Sequence, residues 1–191
     1  MARSFNRKPL IILDINGLLC CKRELTPSPL SLTPSPLSLT PILKTEYYEV
    51  FARPHAKEFL STMFRLYTVS FFTATTYSNA HKILAAILTK NQLERCLFTW
   101  YRNQTREDTE GVESYATVKK LEDVFSYPKI KKLGYDYTNT LIIDDSESKM
   151  RYNPSKNVVI CKPFTTVSPK CYLDDYLPTL IHEIASRFAE L

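Results

Sequence analysis

Polar residues follow three short apolar runs of this chain, and their types and spacing could form a ligand-binding cleft. They are Asp14, Asn16, Thr73, Asp144 and Asp145. The carboxyl ends of parallel strands meet at one edge of an open α/β sheet, where such sheets bind ligands, so we expect these side chains to converge. Gly17 would allow a sharp turn after the first run, and its backbone could approach a bound group closely.

Each of these residues also has a purely structural interpretation. An apolar strand that ends in an aspartate is common in α/β proteins, and this applies to Asp14. Thr73 could cap the following helix, and Asp144-Asp145-Ser146 could begin another. The agreement of three strand ends favours a shared site over three independent coincidences.

The elements that must position these residues can be read from the apolar patterns. Runs of apolar residues predict buried strands at 10–13, 69–72, 97–98, 140–143 and 158–160, and a short strand at 47–51. Apolar residues at helical spacing predict a helix with Pro54 in its first turn, one over 78–89, one that contains Val118, Leu121, Val124 and Phe125, and a last one after Asp174-Asp175. This alternation predicts an α/β fold with a parallel sheet covered by helices on both faces.

Composition sets limits on the class of protein. With 191 residues, 44% hydrophobic and 24% charged, the chain suits one soluble domain over 1–191. No apolar run approaches the roughly 18 residues that span a bilayer, and the basic N-terminus lacks the apolar core of a secretory signal. Five cysteines without C-x-x-C spacing indicate reduced thiols, hence a nuclear or cytoplasmic location. We expect a monomer that binds neither membrane nor nucleic acid directly, since no nucleic-acid-binding signature accompanies the net charge of +5.

A proline-rich insert lies at about 25–41, where Leu-Thr-Pro-Ser-Pro-Leu-Ser occurs twice and begins a third time. Proline lacks the backbone donor and fixes φ, so the insert is predicted to be an extended loop outside the sheet. A spacer without function is the simpler interpretation, and a tethered pseudosubstrate with phosphorylated Ser-Pro or Thr-Pro units is the alternative. The polar residues 103–113 predict a surface loop.

Several motifs resemble those of one known family. Asp14-Ile15-Asn16-Gly17 resembles motif I of the haloacid dehalogenase (HAD) superfamily, with Asn16 in place of its second aspartate and Leu18 in place of threonine or valine. The blocks that follow are similar, in the same order, to those of the CTD-phosphatase family with its NLI-interacting-factor or FCP1-homology domain. They are Arg53-Pro54-His55 with Glu58-Phe59-Leu60, Phe72-Thr73-Ala74 with Ala80, Lys119-Lys120-Leu121, Leu141 to Ser146, Asn153-Pro154 to Asn157, and Asp174 to Pro178. Asn79 stands where the family has a tyrosine.

The resemblance implies a HAD-like fold without a large cap domain and a Mg²⁺-dependent phosphatase. Asp14 would attack phosphorus and form an aspartyl-phosphate, and Mg²⁺ would be held by Asp14, the backbone carbonyl of Asn16, and Asp144 with Asp145. Thr73 would donate a hydrogen bond to a phosphoryl oxygen, Lys119 would neutralise charge in the transition state, and Ala74 and Arg53 would contact substrate. Lys120 and Lys129 are alternatives to Lys119.

The substrate implied by the resemblance is phosphoserine or phosphothreonine in a Pro-rich peptide, such as the C-terminal domain of RNA polymerase II. Asn16 weakens this expectation, because an amide cannot protonate the leaving group or take a proton from water. Loss of such acid–base help typically costs about 10²–10⁴-fold in rate. The alternative is a catalytically weak pseudophosphatase that serves as a phosphopeptide-binding or scaffold protein.

Overall fold

The computed structural model describes residues 7–25, 39–110, 116–168 and 170–191. In chain order its strands are β1 (Leu10–Leu13), β2 (Cys20–Glu24), β3 (Leu43–Lys44), β4 (Tyr48–Ala52), β5 (Thr68–Phe72), β6 (Thr99–Trp100), β7 (Arg106–Glu107), β8 (Thr117–Val118), β9 (Thr140–Asp144) and β10 (Val158–Ile160). Its α-helices are α1 (Ala56–Leu66), α2 (Tyr77–Ile87), α3 (Lys90–Arg95), α4 (Leu121–Ser126), α5 (Pro128–Lys132), α6 (Glu147–Met150) and α7 (Tyr176–Ala189). Short 3-10 helices lie at Arg102–Gln104, Ser155–Asn157 and Cys171–Leu173.

The central sheet has five parallel strands in the order β10-β9-β1-β5-β6. β1 is the middle strand, and Leu13 lies opposite Ile143 of β9 and Phe71 of β5. A strand with neighbours on both sides and helices over both faces is buried throughout, which explains the uninterrupted apolar run of β1. The predicted α/β fold with a parallel sheet flanked by helices is therefore confirmed.

The two faces of the sheet carry separate parts of the core, because successive side chains of a strand point to opposite faces. Ile11 and Leu13 pack in one cluster with apolar residues of α1, α2 and α7. Leu10 and Ile12 pack in the other with residues of α4 and α5, including Val124. All four β1 side chains are inaccessible to solvent, so the strand that leads to Asp14 is fixed from both sides.

A second sheet lies outside the predicted parallel one. Its three antiparallel strands have the order β2-β4-β3, with Cys20 opposite Ala52 and Glu24 opposite Tyr48. The strand predicted at 47–51 is present as β4 in this second sheet. Cys20 and Cys21 begin β2, which the sequence did not predict because the polar second half of this strand gives no strong strand signal.

Three element boundaries differ from the predictions. β6 begins at Thr99, although Leu97 and Phe98 already exchange backbone hydrogen bonds with β5. Val118 belongs to β8 and not to a helix, which starts only at Leu121. Pro54 precedes α1, because His55 adopts a left-handed φ of 64° and the helix begins after it.

Two sequence predictions reach beyond the described residues. Residues 26–38 of the Pro-rich insert and 111–113 of the predicted surface loop lie outside them. Within the described ranges, no helix combines the length and the apolar character needed to cross a bilayer.

Candidate functional site

Asp14 and Asp144 stand side by side at the ends of neighbouring strands. Asp14 follows β1 directly, and Asp144 is the last residue of β9. The Asp14 backbone N–H donates to the Ile143 carbonyl at 2.9 Å, which continues the ladder between the two strands. The residues are 3% and 0% exposed. The structure thus brings together Asp14 and Asp144, as the strand pattern predicted.

Asp145 completes a group of three carboxylates. One oxygen from each of Asp14, Asp144 and Asp145 lies within 4.8 Å of the others. Gly17 makes this approach sterically possible, because a Cβ at its position would lie 1.9 Å from Asp145 Oδ2. Its φ of 77° is a second reason for glycine there. The close approach predicted for Gly17 is therefore made to the Asp145 carboxylate.

Lys119 supplies the cation of this group. Its Nζ donates to Asp14 Oδ1 at 2.9 Å, to Asp144 Oδ2 at 2.5 Å and to the Phe72 carbonyl at 2.6 Å. Burial is the largest single influence and favours the neutral amine, but the two carboxylates outweigh it and raise the pKa of Lys119 above its ordinary value. The side chain has no solvent exposure, and the raised pKa keeps it charged at neutral pH inside the protein.

This placement distinguishes Lys119 from the two alternative lysines. Lys119 lies between β8 and α4 with its ammonium among the acids, rather than on the surface of a helix. Lys120 lies over the Tyr152 ring, 4.3 Å from the centroid. Lys129 donates to the Leu97 carbonyl at 3.1 Å and contributes to a different part of the molecule.

Sequence reasoning missed Asn153, which fixes the backbone around Lys119. Its Nδ2 donates to the Lys119 carbonyl and its Oδ1 accepts from the Leu121 N–H, both at 2.7 Å. The Lys119 N–H donates to the Lys149 carbonyl at 2.9 Å. The only sequence signal for this role was the position of Asn153 at the start of the Asn153-Pro154 block.

The charges of the site are unbalanced without a further cation. Three carboxylates share one buried ammonium, and Lys149 adds a second positive charge that acts on Asp14 and Asp145, which still leaves negative charge in excess if all are ionised. Burial raises the pKa of the Asp145 carboxyl, and the charge of Asp14 raises it further. Burial likewise raises the pKa of Asp14, although Lys119 opposes the effect. Hard oxygen ligands with an excess of negative charge fit a divalent cation such as Mg²⁺.

Asn16 lies beside these acids and is held from two sides. Its Nδ2 donates to Thr75 Oγ1 at 2.9 Å, and its Oδ1 accepts from the Cys20 thiol at 3.5 Å. The hydroxyl and the thiol can also donate to a carboxylate, so the surroundings would accept aspartate at this position. Thr75 and Cys20 were not among the predicted site residues.

Thr73 follows β5 and is 1% exposed. Its N–H donates to the Trp100 carbonyl at 2.9 Å, and its Oγ1 accepts from the Thr75 N–H at 3.2 Å. The hydroxyl proton of Thr73 is thus left for another acceptor. Ala74 is half-buried in the same loop. The phosphate-binding roles of Thr73 and Ala74 stay predictions.

Arg53 does not face the acids. Its guanidinium pairs with Asp174 at 2.7 and 3.0 Å and donates to the carbonyls of Gly17, Leu18 and Lys162. The residue is 1% exposed. This placement does not support the predicted substrate contact of Arg53. It supports a positioning role, since the guanidinium holds the turn that carries Asn16 and Gly17.

A buried carboxylate, a fixed ammonium and a potential metal site in one group of side chains can act on an anionic electrophile. Asp14 is the candidate nucleophile, because only its carboxylate lies at the end of the central strand and also beside Lys119 and Asp144. Electrostatic repulsion between a phosphate dianion and Asp14 would be reduced by Lys119 and by the cation.

Comparison with known proteins gives a family match. The family model described as NLI interacting factor-like phosphatase matches residues 9–190. A CTD phosphatase-like protein of Invertebrate iridescent virus 3 is 26% identical over 182 residues, which cover 90% of this chain and 92% of that protein. An FCP1 homology domain-containing protein of Schizosaccharomyces pombe is 24% identical over 160 residues, which cover 81% of this chain and 61% of that protein.

Solved structures confirm the fold. The fission yeast RNA polymerase II CTD phosphatase Fcp1, in a variant bound to beryllium fluoride, matches with a TM-score of 0.55 at 15% identity. The match covers 98% of this chain and 52% of that chain, so the present chain spans about half the length of the Fcp1 structure.

Proposed function

This chain belongs to the family of NLI interacting factor-like phosphatases, and we propose that it is a Mg²⁺-dependent protein phosphatase that acts through an aspartyl-phosphate at Asp14. The observation that carries the proposal is the Lys119 ammonium, which is fully buried between Asp14 and Asp144 while Asp145 stays close enough to share a metal. A structural ion pair has no need of further carboxylates beside it.

Each residue of the site has its own role in the proposed reaction. Asp14 attacks phosphorus, and the phosphoryl group moves from the substrate oxygen to the carboxylate. Lys119 and the hydroxyl of Thr73 stabilise the negative charge that develops on the phosphoryl oxygens. Mg²⁺, held by Asp14, Asp144, Asp145 and the Asn16 carbonyl, would supply Lewis-acid stabilisation of the same charge. Water then attacks phosphorus and releases phosphate from Asp14.

The proposed substrate is phosphoserine or phosphothreonine in Ser-Pro or Thr-Pro sequences of a Pro-rich protein, such as the RNA polymerase II CTD. Support comes from the family membership and from similarity to a CTD phosphatase-like viral protein that the chain covers almost completely. We propose that the chain acts as a monomer in the nucleus or cytoplasm.

A pseudophosphatase is the second candidate, and Asn16 is the observation that favours it. The amide occupies the position beside Asp14 with its own nitrogen donating to Thr75, and it offers no exchangeable acidic proton. A protein of this kind would bind phosphopeptides through Lys119 and Thr73 and release phosphate slowly or not at all.

Turnover of para-nitrophenyl phosphate with and without Mg²⁺ separates the two candidates. For the phosphatase, we expect Mg²⁺-dependent release of phosphate that falls to the background level in Asp14→Asn. Glu58→Gln, the same chemical change at an exposed residue, serves as the matched control and should leave turnover unchanged. Equal turnover in the native chain and Asp14→Asn would refute the proposed nucleophile.

The Asn16→Asp variant provides the second part of this experiment. Both Thr75 and Cys20 can donate to the new carboxylate, so the substitution fits the site, and restored acid–base help should raise turnover of an alkyl phosphate by about 10²–10⁴-fold. If the native chain binds phosphopeptide without turnover, and Asn16→Asp does not raise the turnover, the pseudophosphatase is favoured.

A further inference from the structure

The proposed function leaves the leaving group without a proton donor, and the described residues around Asn16 do not supply one. The side-chain partners of Asn16 are the hydroxyl of Thr75 and the thiol of Cys20, and neither is a carboxylic acid. Among the described residues, Asp14, Asp144, Asp145 and Lys119 are already committed to attack, metal binding and charge neutralisation, and the charge of Lys149 acts on Asp14 and Asp145.

A missing acid does not slow all substrates equally. A serine or threonine ester must expel an alkoxide, which is a very strong base and needs protonation as the P–O bond breaks. A tyrosine ester expels a phenolate, whose conjugate acid has a pKa of about 10, so it departs with far less assistance. The typical contribution of general acid catalysis, about 10²–10⁴-fold, is therefore lost mainly with alkyl esters.

Exposed aromatic residues border the loop that follows β5 and carries Thr73 and Thr75. Tyr77 begins α2 two residues after Thr75 and is 62% exposed. Its ring meets Tyr101 edge to face with centroids 5.1 Å apart and lies 5.7 Å from His81. An aromatic side chain that is held by neighbours and still exposes most of its surface can pack against the ring of a bound ligand.

The two tyrosines are tied to the strand ends that carry the site. Tyr101 follows β6, and the next residue donates its backbone N–H to the Thr75 carbonyl at 3.0 Å. Thr75 in turn accepts the hydrogen bond from Asn16. A chain of direct contacts therefore runs from Asn16 through Thr75 to the loop that bears Tyr101, against which Tyr77 packs.

From the amide at position 16 together with this aromatic rim, we propose that the site also dephosphorylates phosphotyrosine, and does so faster than phosphoserine or phosphothreonine. The inference rests on the proposed function and extends its substrate class. Tyr77 and Tyr101 form the surface that receives the phenyl ring of the substrate, and Asn16 sets the preference for a leaving group that needs no acid.

The steps balance with water as the only co-reactant. A carboxylate oxygen of Asp14 forms a bond to phosphorus, the bond from phosphorus to the phenolic oxygen breaks, and its electron pair leaves with the phenolate. The phenolate takes a proton from solvent. Water then forms a bond to phosphorus, the bond to Asp14 breaks with its electron pair returning to the carboxylate, and the water proton goes to solvent.

The test compares peptides of one sequence that carry phosphotyrosine, phosphoserine or phosphothreonine at the same position. Phosphate release by the full chain with Mg²⁺ gives kcat/KM for each. We expect kcat/KM to be about 10²-fold or more higher for phosphotyrosine, and we expect Asn16→Asp to narrow the gap by raising the other two. An equal or higher kcat/KM for phosphoserine in the native chain would overturn the inference.

Binding to the non-reactive Asp14→Asn chain gives a second readout that does not depend on turnover. Tyr77→Ala should weaken binding of the phosphotyrosine peptide by about threefold to tenfold and leave the phosphoserine peptide unaffected. Ser78→Ala, at the adjacent exposed position, is the matched control. Equal loss for both peptides, or no loss for either, would remove Tyr77 from the recognition surface and overturn that part of the inference.

The outcomes also separate this inference from the proposed function. Turnover that depends on Asp14 but favours phosphoserine refutes only the tyrosine preference. Absence of Asp14-dependent turnover with every peptide and with para-nitrophenyl phosphate refutes both.

Discussion

Two buried cations in this molecule have similar burial and different surroundings. Lys119 and Arg53 both have side chains without solvent exposure, and each contacts carboxylate and backbone carbonyl oxygens. Arg53 faces one carboxylate, that of Asp174, so its charge is balanced. Lys119 faces Asp14 and Asp144, with Asp145 nearby, so negative charge remains in excess.

From this difference we infer a structural role for Arg53 and propose a functional one for Lys119. A planar guanidinium can pair with one carboxylate through two hydrogen bonds, which suits a structural contact. A compact ammonium can bridge separate carboxylates. Burying a charge is costly unless it is compensated, so the surplus at Lys119 is best explained by a ligand that completes the site. The predictions below test that contrast.

The largest effects are expected for Lys119→Met. Removal of the ammonium leaves three carboxylates without their buried cation, so the free energy of unfolding should fall by about 3–5 kcal/mol, as for other broken buried pairs. Turnover should fall by about 10²–10³-fold or more, as for loss of one preorganised donor. Denaturant unfolding and para-nitrophenyl phosphate turnover measure the two quantities.

The effect of Mg²⁺ on stability gives a second test of Lys119→Met. A bound cation would replace part of the missing charge, so Mg²⁺ should stabilise Lys119→Met more than it stabilises the native chain. Lys57→Met, at an exposed position, should behave as the native chain does in both measurements. Identical Mg²⁺ responses in native and Lys119→Met chains would contradict the proposed surplus of negative charge.

Arg53→Met should destabilise the fold without any special response to Mg²⁺. The substitution breaks the bidentate pair with Asp174 and removes the donors to three carbonyls, so a loss of about 3–5 kcal/mol is expected. Arg65→Met, at an exposed arginine, is the control. If Mg²⁺ rescued Arg53→Met as strongly as Lys119→Met, the two cations would not differ in the way proposed.

A smaller effect is expected for Gly17→Ala, which acts on the geometry of the acids without changing their charge. The added Cβ would lie 1.9 Å from Asp145 Oδ2 and would have to displace that carboxylate. With the positive φ, this should cost about 1–3 kcal/mol and weaken Mg²⁺ binding, as measured by calorimetry.

Gly134→Ala isolates the contribution of the backbone. Gly134 has a similar φ of 70°, but among the described residues the nearest atom to a Cβ there would be Arg7 Nη1 at 4.0 Å. Gly134→Ala should therefore lose stability through its φ alone and leave Mg²⁺ affinity unchanged. Equal Mg²⁺ affinities in both alanine variants would show that Asp145 does not hold the metal.

Local patterns in the sequence were sufficient for part of this arrangement. Asp14 and Asp144 each end an apolar strand, and parallel neighbours bring such ends together, so their convergence could be predicted. The burial of Lys119 could not, because a lysine beside an amphipathic helix usually faces solvent. The Arg53–Asp174 pair joins residues 121 positions apart, and local periodicity carries no information about such contacts.

The second sheet was missed for a related reason. β2 alternates poorly, and its pairing with β4 depends on the turn at Gly17 and on the position of the next strand. Glu49 in β4 shows the consequence, since it is 4% exposed on a sheet that the sequence did not reveal.

Glu49 offers the smallest test, because its charge is balanced by partners nearer the surface. Arg23 donates a hydrogen bond to its carboxylate, and together with Lys44 it lowers the pKa of Glu49 below the ordinary value of 4.5. A lowered pKa means that the interaction contributes its full stability above about pH 4.5 and loses it as pH falls through the folded-state value.

Glu49→Gln should therefore lower the free energy of unfolding by about 1 kcal/mol or less at pH 7 and by progressively less in acid, as measured by urea unfolding at a series of pH values. Glu46→Gln, at an exposed position, is the control. A cost that stayed constant with pH would mean that Glu49 acts through packing and not through its charge.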